Sequence, residues 1–163
     1  MFKGNQVKEL AKVILEEAGY SVLPYGYEST LSDMKKRLRD KGARNSRTVR
    51  RIRTSPDLLV YDEKRKDAML VEVKMRNSPK ETDIKFLRIA NYKEFWNDSI
   101  LILVVPCGDV FYAQKVNELE IKQIYDVRTD FEKFEDVFTE VKKENIEEYR
   151  TKALQIMKNK AQS

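Results

Sequence analysis

The run Ile100-Leu101-Ile102-Leu103-Val104-Val105 constrains this chain more than any other stretch. It is far too short for the roughly 18 residues that cross a bilayer. It is also apolar on both faces, which a strand tolerates only at the centre of a sheet that is covered on either side. The sequence therefore predicts an α/β protein with a central sheet flanked by helices. Val7, Leu10, Ala11, Ile14, Leu15 and Ala18 recur at helical spacing ahead of Gly19, so a first helix is expected, followed by a short strand within Tyr20–Tyr27. No apolar leader precedes that helix, and the expectation is a soluble, cytoplasmic protein with no membrane partner.

Further along, the apolar residues between Thr82 and Asn97 predict a buried helix, and Val110–Val116 predicts one more strand. Phe131, Phe134 and Phe138 fall on one helical face behind a Thr129 cap, and Asn145 with Glu148 forms a capping-box pattern opening a helix to about Lys158. The organisation expected is a core over residues 1–116 and a mostly helical C-terminal extension of the same domain over 117–163.

Composition narrows the chemistry. The chain has no histidine and one cysteine, Cys107. Histidine-based triads, histidine-containing zinc sites and an intramolecular disulfide framework are excluded. Any hydrolytic chemistry must use carboxylates, lysine, tyrosine or metal-bound water.

Charge is unevenly placed. Lys35, Lys36, Arg37, Arg39, Lys41, Arg44, Arg47, Arg50, Arg51 and Arg53 stand against the one acid Asp40, a net +9 in a chain whose total is +5, leaving −4 elsewhere. Such a block repels itself in a compact fold and is ordinarily matched by a polyanion, and arginine's planar fork suits phosphate. These ten residues are the candidate nucleic-acid contacts. A helix is expected to run from a Ser29 or Ser32 cap to Lys41, with Gly42 as its stop. Ala43–Thr54 has little apolar content and reads as a loop that orders on binding.

The most informative stretch is Ser55–Arg76. Two runs rich in Val, Leu and Met flank the polar turn Asp62–Asp67, the pattern of a β-hairpin. If Tyr61 faces Ala68, then Asp57 faces Glu72, and alternation puts Asp57, Glu72 and Lys74 on one face with Leu58, Val60, Val71, Val73 and Met75 on the other. Opposed carboxylates repel. A hard divalent cation, Mg²⁺ or Mn²⁺, offsets that repulsion through oxygen ligands. Lys74 beside it can stabilise charge on a phosphate undergoing attack.

Pro56-Asp57 and Glu72-Val73-Lys74 resemble the signature of the PD-(D/E)XK nuclease superfamily, whose members share the restriction-endonuclease-like fold. The resemblance covers roughly residues 4–116. Lys3-Gly4-Asn5-Gln6 with Glu9-Leu10 is also similar to archaeal Holliday-junction resolvases. The resemblance implies an αβββαβ core. It makes Asp57 and Glu72 metal ligands, adds the backbone carbonyl of Val73 as a further ligand, and makes Lys74 the catalytic lysine. Many members take another acid from the first helix. Here Val7 falls at that position, and Glu28 is favoured in its place over Glu9 and Glu17.

The expected function is a metal-dependent DNA endonuclease that hydrolyses phosphodiester bonds in duplex or branched DNA. It is expected to act as a homodimer with the C-terminal helices as its interface. The alternative is a noncatalytic nucleic-acid-binding module on the same fold. A protein-interaction domain using the acidic C-terminal helices is a third reading.

Overall fold

β5 (Ile100–Val104) is buried along its whole length because each face of the sheet meets a different core. The computed structural model describes residues 3–27, 34–40, 42 and 46–159. In chain order the helices are α1 (Lys3–Glu17), α2 (Lys35–Leu38), α3 (Arg47–Arg53), α4 (Ile89–Phe95), α5 (Val127–Asp130), α6 (Phe134–Val137) and α7 (Lys143–Lys158). The other strands are β1 (Ser21–Pro24), β2 (Leu58–Asp62), β3 (Asp67–Met75), β4 (Ile84–Lys85), β6 (Phe111–Lys115), β7 (Ile124–Tyr125) and β8 (Glu132–Lys133).

The main sheet runs β1-β2-β3-β5-β6-β8, and β4 pairs with β7 in a small separate ribbon. β3 and β5 are parallel, and the other neighbours in the main sheet are antiparallel. The fold is thus α/β with a mixed sheet between helices. On one face Leu58, Val60, Val71, Val73, Ile100, Ile102 and Val104 pack with α1 and α7. On the other, Leu101, Leu103 and Val105 meet Ile89 and Tyr92 of α4 together with the β4–β7 ribbon.

The hairpin has the register read from the sequence, with Tyr61 opposite Ala68 and Leu58 opposite Val71. Asp62 Oδ1 closes the turn by accepting from the backbone N–H groups of Lys64 (2.9 Å) and Arg65 (3.0 Å). α1 ends as expected. Gly19 takes φ +97°, and Tyr20 donates back to the carbonyl of Leu15, the left-handed stop that glycine makes without strain.

Five expectations are corrected. The helix predicted over 82–97 begins only at Ile89, because Ile84 and Lys85 pair as β4 with Tyr125 and Ile124, a partner far along the chain. Phe131, Phe134 and Phe138 do not share one helix. β8 and the start of α6 intervene, and Phe131 enters the α4-side core while Phe134 and Phe138 enter the other. The last helix starts at Lys143 with no side-chain cap, so Asn145 lies inside its first turn. Much of Ala43–Thr54 is helical. Ser46 accepts from the Val49 N–H at 3.4 Å and caps α3, whose arginines stack on Phe95 and Trp96. The preceding helix, expected to run to Lys41, ends at Leu38 with Arg39 already in a turn, and its expected start at 29–32 lies outside the described residues.

α7 is part of the core. Its apolar line of Ile146, Tyr149, Ala153 and Met157 is buried in the cluster that contains Val7, Ala11 and Ile14 of α1. Covered by α1, this stripe is not the dimer face expected of the C-terminal helices. Ile146→Ala is expected to destabilise the whole domain by about 2–5 kcal/mol in urea unfolding. A loss near zero would mean that α7 is an appendage.

Candidate active site

Asp57 stands one residue before β2, where its backbone is gripped from β1's side. Its carbonyl accepts from the N–H of Tyr25 (2.9 Å) and of Gly26 (3.3 Å). A Cβ at Gly26 would sit 3.4 Å from the Pro56 carbonyl oxygen and 3.6 Å from the Asp57 Cα, so the absence of a side chain permits this close approach. The carboxylate is held at both oxygens. Oδ2 accepts from the Val73 N–H at 3.0 Å, and Oδ1 pairs with Lys8 Nζ at 2.6 Å. In an extended strand the N–H and C=O of one residue point to the same edge. The Val73 carbonyl is therefore turned to the edge of β3 that faces Asp57.

Glu72 is the buried member of the pair, 5% exposed. Its Oε1 accepts from the Tyr92 hydroxyl at 2.8 Å and pairs with Lys74 Nζ at 2.5 Å. Burial pushes its carboxyl up to about 7, helped by the nearby Asp57 charge and opposed by Lys74 and Tyr92. Burial also raises the Tyr92 hydroxyl, reinforced by the charge of Glu72, so Tyr92 stays protonated and serves as a donor. Lys74 lies 5.5 Å from the centre of the Tyr92 ring, which fixes the ammonium from its other side.

The structure thus brings Asp57, Glu72 and Lys74 to one wall of an open cleft of about 990 Å³. Eight lysine and arginine side chains line it against three carboxylates. Of the basic block read from the sequence, Lys35, Arg39 and Arg53 reach this cleft. Arg53 Nε is buried there with no hydrogen-bond partner among the described residues. A stranded donor of that kind costs about 1–3 kcal/mol unless a ligand completes it.

Other members of the block lie elsewhere. Arg47 and Arg50 pair with Glu94 and stack on Phe95, and Arg51 stacks on Trp96, so much of their bonding docks α3 on α4. Lys36 and Arg37 are exposed on α2 and do not line the cleft. Lys41 and Arg44 lie outside the described residues.

Glu28, the acid favoured as a third ligand, also lies outside the described residues. Of the two other acids, Glu9 lines the cleft, whereas Glu17 lines a separate cavity of about 310 Å³ with Tyr149. Among the described residues no three histidine, cysteine or carboxylate side chains are gathered into a metal cage. The donor set still suits a hard divalent cation. It offers two carboxylates close enough for one to raise the other, and their charge is offset by Lys8 and Lys74, whose ammonium groups a dication can replace.

Sequence reading missed Lys8, Tyr92, Arg76 and Arg88. Lys8 borders the apolar stripe of α1, but nothing local says that it meets Asp57 from another element. Tyr92 reads as one more core aromatic until its hydroxyl is seen on Glu72. Arg76 continues the alternation of Glu72 and Lys74, and that continuation was the available signal.

The raised Glu72 carboxyl has a sign that stability measurements can test. Its ordinary value is 4.5, so between there and about 7 the folded protein binds the extra proton. Its contribution to stability is therefore lost as pH rises through that window. Glu72→Gln removes the titration. In urea unfolding at stepped pH, the variant is expected to gain on the wild type between 4.5 and 7 and to run parallel above it. A constant difference across the window would contradict the assignment. Compared with models of known families and with curated proteins, the chain returns no match.

Proposed function

We propose that this protein is a metal-dependent DNA endonuclease with a restriction-endonuclease-like core. The observation that carries the proposal is the convergence of Asp57, Glu72 and Lys74 in a cleft whose charged lining is chiefly lysine and arginine. With α2 and α3 inserted after β1 and β4 after β3, the order α1, β1, β2, β3, α4, β5 supports the fold assignment, since it follows the helix-strand-hairpin-helix-strand order of that core.

Asp57, Glu72 and the Val73 carbonyl are the groups that would hold Mg²⁺ or Mn²⁺, which when bound supplies a Lewis acid for the phosphate and a more acidic water. The protein's own residues do the rest. Lys12, Arg39, Arg53, Arg76 and Arg88 bring the phosphate backbone to the cleft by charge. Arg53 Nε, which has no acceptor among the described residues, offers a donor to a phosphate oxygen. Tyr92 fixes the orientation of Glu72 by a donated hydrogen bond. Lys74, held between Glu72 and the Tyr92 ring, presents a cation that can orient the attacking water and meet charge developing on phosphorus. One such site cuts one strand at a time, so the proposal includes a homodimer in which two copies cut the two strands together.

One observation favours the noncatalytic reading. Each carboxylate already has a lysine partner, which is how a binding module without a metal would neutralise the pair. Cleavage separates the two readings. With Mg²⁺, the wild type is expected to nick DNA, and Asp57→Asn and Lys74→Ala are each expected to lose about 100-fold or more while remaining folded by circular dichroism at the assay temperature. Chelation of divalent ions should abolish the reaction. Salt-dependent DNA binding with no cleavage of duplex, single-stranded, flap or four-way-junction substrates would establish the binding module instead.

A further inference from the structure

Phe86 is 80% exposed, and among the described residues it is the only exposed aromatic side chain. It is held outward by its surroundings. The backbone at Phe86 and Arg88 is left-handed, with φ +62° and +55°, a conformation that neither side chain favours. Leu87 between them is buried in the α4-side core. Arg76, two residues beyond Lys74, clamps the loop from below. Its guanidinium donates to the carbonyls of Lys85 (3.1 Å), Phe86 (2.6 Å) and Met75 (2.8 Å). The Arg76 N–H also bonds Val104, so the clamp extends directly from the end of β3.

Phe86 lines the same cleft as Asp57, Glu72 and Lys74, with Arg76 and Arg88 beside it. An apolar ring among cations is poorly matched to an apolar protein surface, which would have to bury those charges unpaired. It is well matched to a nucleic acid whose phosphates meet the cations while a base lies on the ring. A duplex keeps its bases paired and stacked, so a ring beside the backbone can use only a base that is free.

We infer that Phe86 is a stacking platform for an unpaired base next to the phosphate held at Asp57, Glu72 and Lys74. This makes DNA with single-stranded tails, flaps or branch points the favoured substrate class. The inference rests on the nuclease reading of the cleft.

The test uses the full chain with divalent ions chelated, so that binding is read without turnover. The probes are a single-stranded oligonucleotide and an overhang duplex, each carrying 2-aminopurine at the unpaired position, and a blunt duplex. The wild type is expected to bind the first two more tightly and to quench their fluorescence. Phe86→Ala should weaken them about tenfold and abolish the quench. Phe86→Trp should restore both and Phe86→Leu neither, while all four proteins bind the blunt duplex within about twofold. Unchanged binding by Phe86→Ala, full rescue by leucine, or a wild-type preference for blunt duplex overturns the inference and leaves the nuclease reading standing. A shift in self-association on sedimentation with DNA binding unaltered also overturns it, making Phe86 a protein contact. Failure of the wild type to bind any probe overturns the inference, and absence of cleavage with Mg²⁺ as well removes the nuclease reading with it.

Discussion

In an antiparallel hairpin a slip of one residue turns every side chain to the opposite face. Here such a slip would press Asp57, Glu72 and Lys74 against α1 and lift Leu58, Val60, Val71 and Val73 away from it. Three features hold the register against that change. The Asp62 side chain closes the turn, the apolar alternates are buried, and the Asp57 carboxylate takes the Val73 N–H that the end of β2 leaves without a backbone partner. The charged group that makes the site is thus also one of the groups that align it. The α1 side supplies the burial that makes the register costly to change, and the α4 side keeps the opening where charge can gather.

The site keeps two carboxylates together in a place where their own repulsion works against them. Glu72 is nearly out of solvent, and its tendency to take up a proton measures that opposition. Lys8, Lys74 and Tyr92 offset it, each from a different element. A buried carboxylate with committed partners has little orientational freedom, which is the preorganisation that charge stabilisation in an active site requires.

What was legible in the sequence was whatever depends on neighbours along the chain. The hairpin register followed from alternation on either side of a polar turn, and β5 followed from an unbroken apolar run. Residues 82–97 misled because Ile84 and Leu87 fit helical spacing, while the tie between Ile84 and Tyr125 is a pairing across about 40 positions that no local period encodes. The aromatics at 131, 134 and 138 also keep helical spacing, yet they divide between the two sides of the sheet. In the site, Asp57, Glu72 and Lys74 could be read together because one hairpin carries them. Lys8 and Tyr92 could not, since they reach the carboxylates from elements whose placement depends on the finished core.

The seating of α7 on α1 bears on how the protein matures during synthesis. α1 leaves the ribosome well ahead of α7, and part of its apolar stripe stays uncovered until residues 143–158 have followed. Lys8 rides on that helix, so its clasp on Asp57 has no firm backing in a nascent chain that already holds the complete hairpin. The cleft acquires its final wall late, and an unfinished polypeptide carries its charged residues without the geometry that would let them act together.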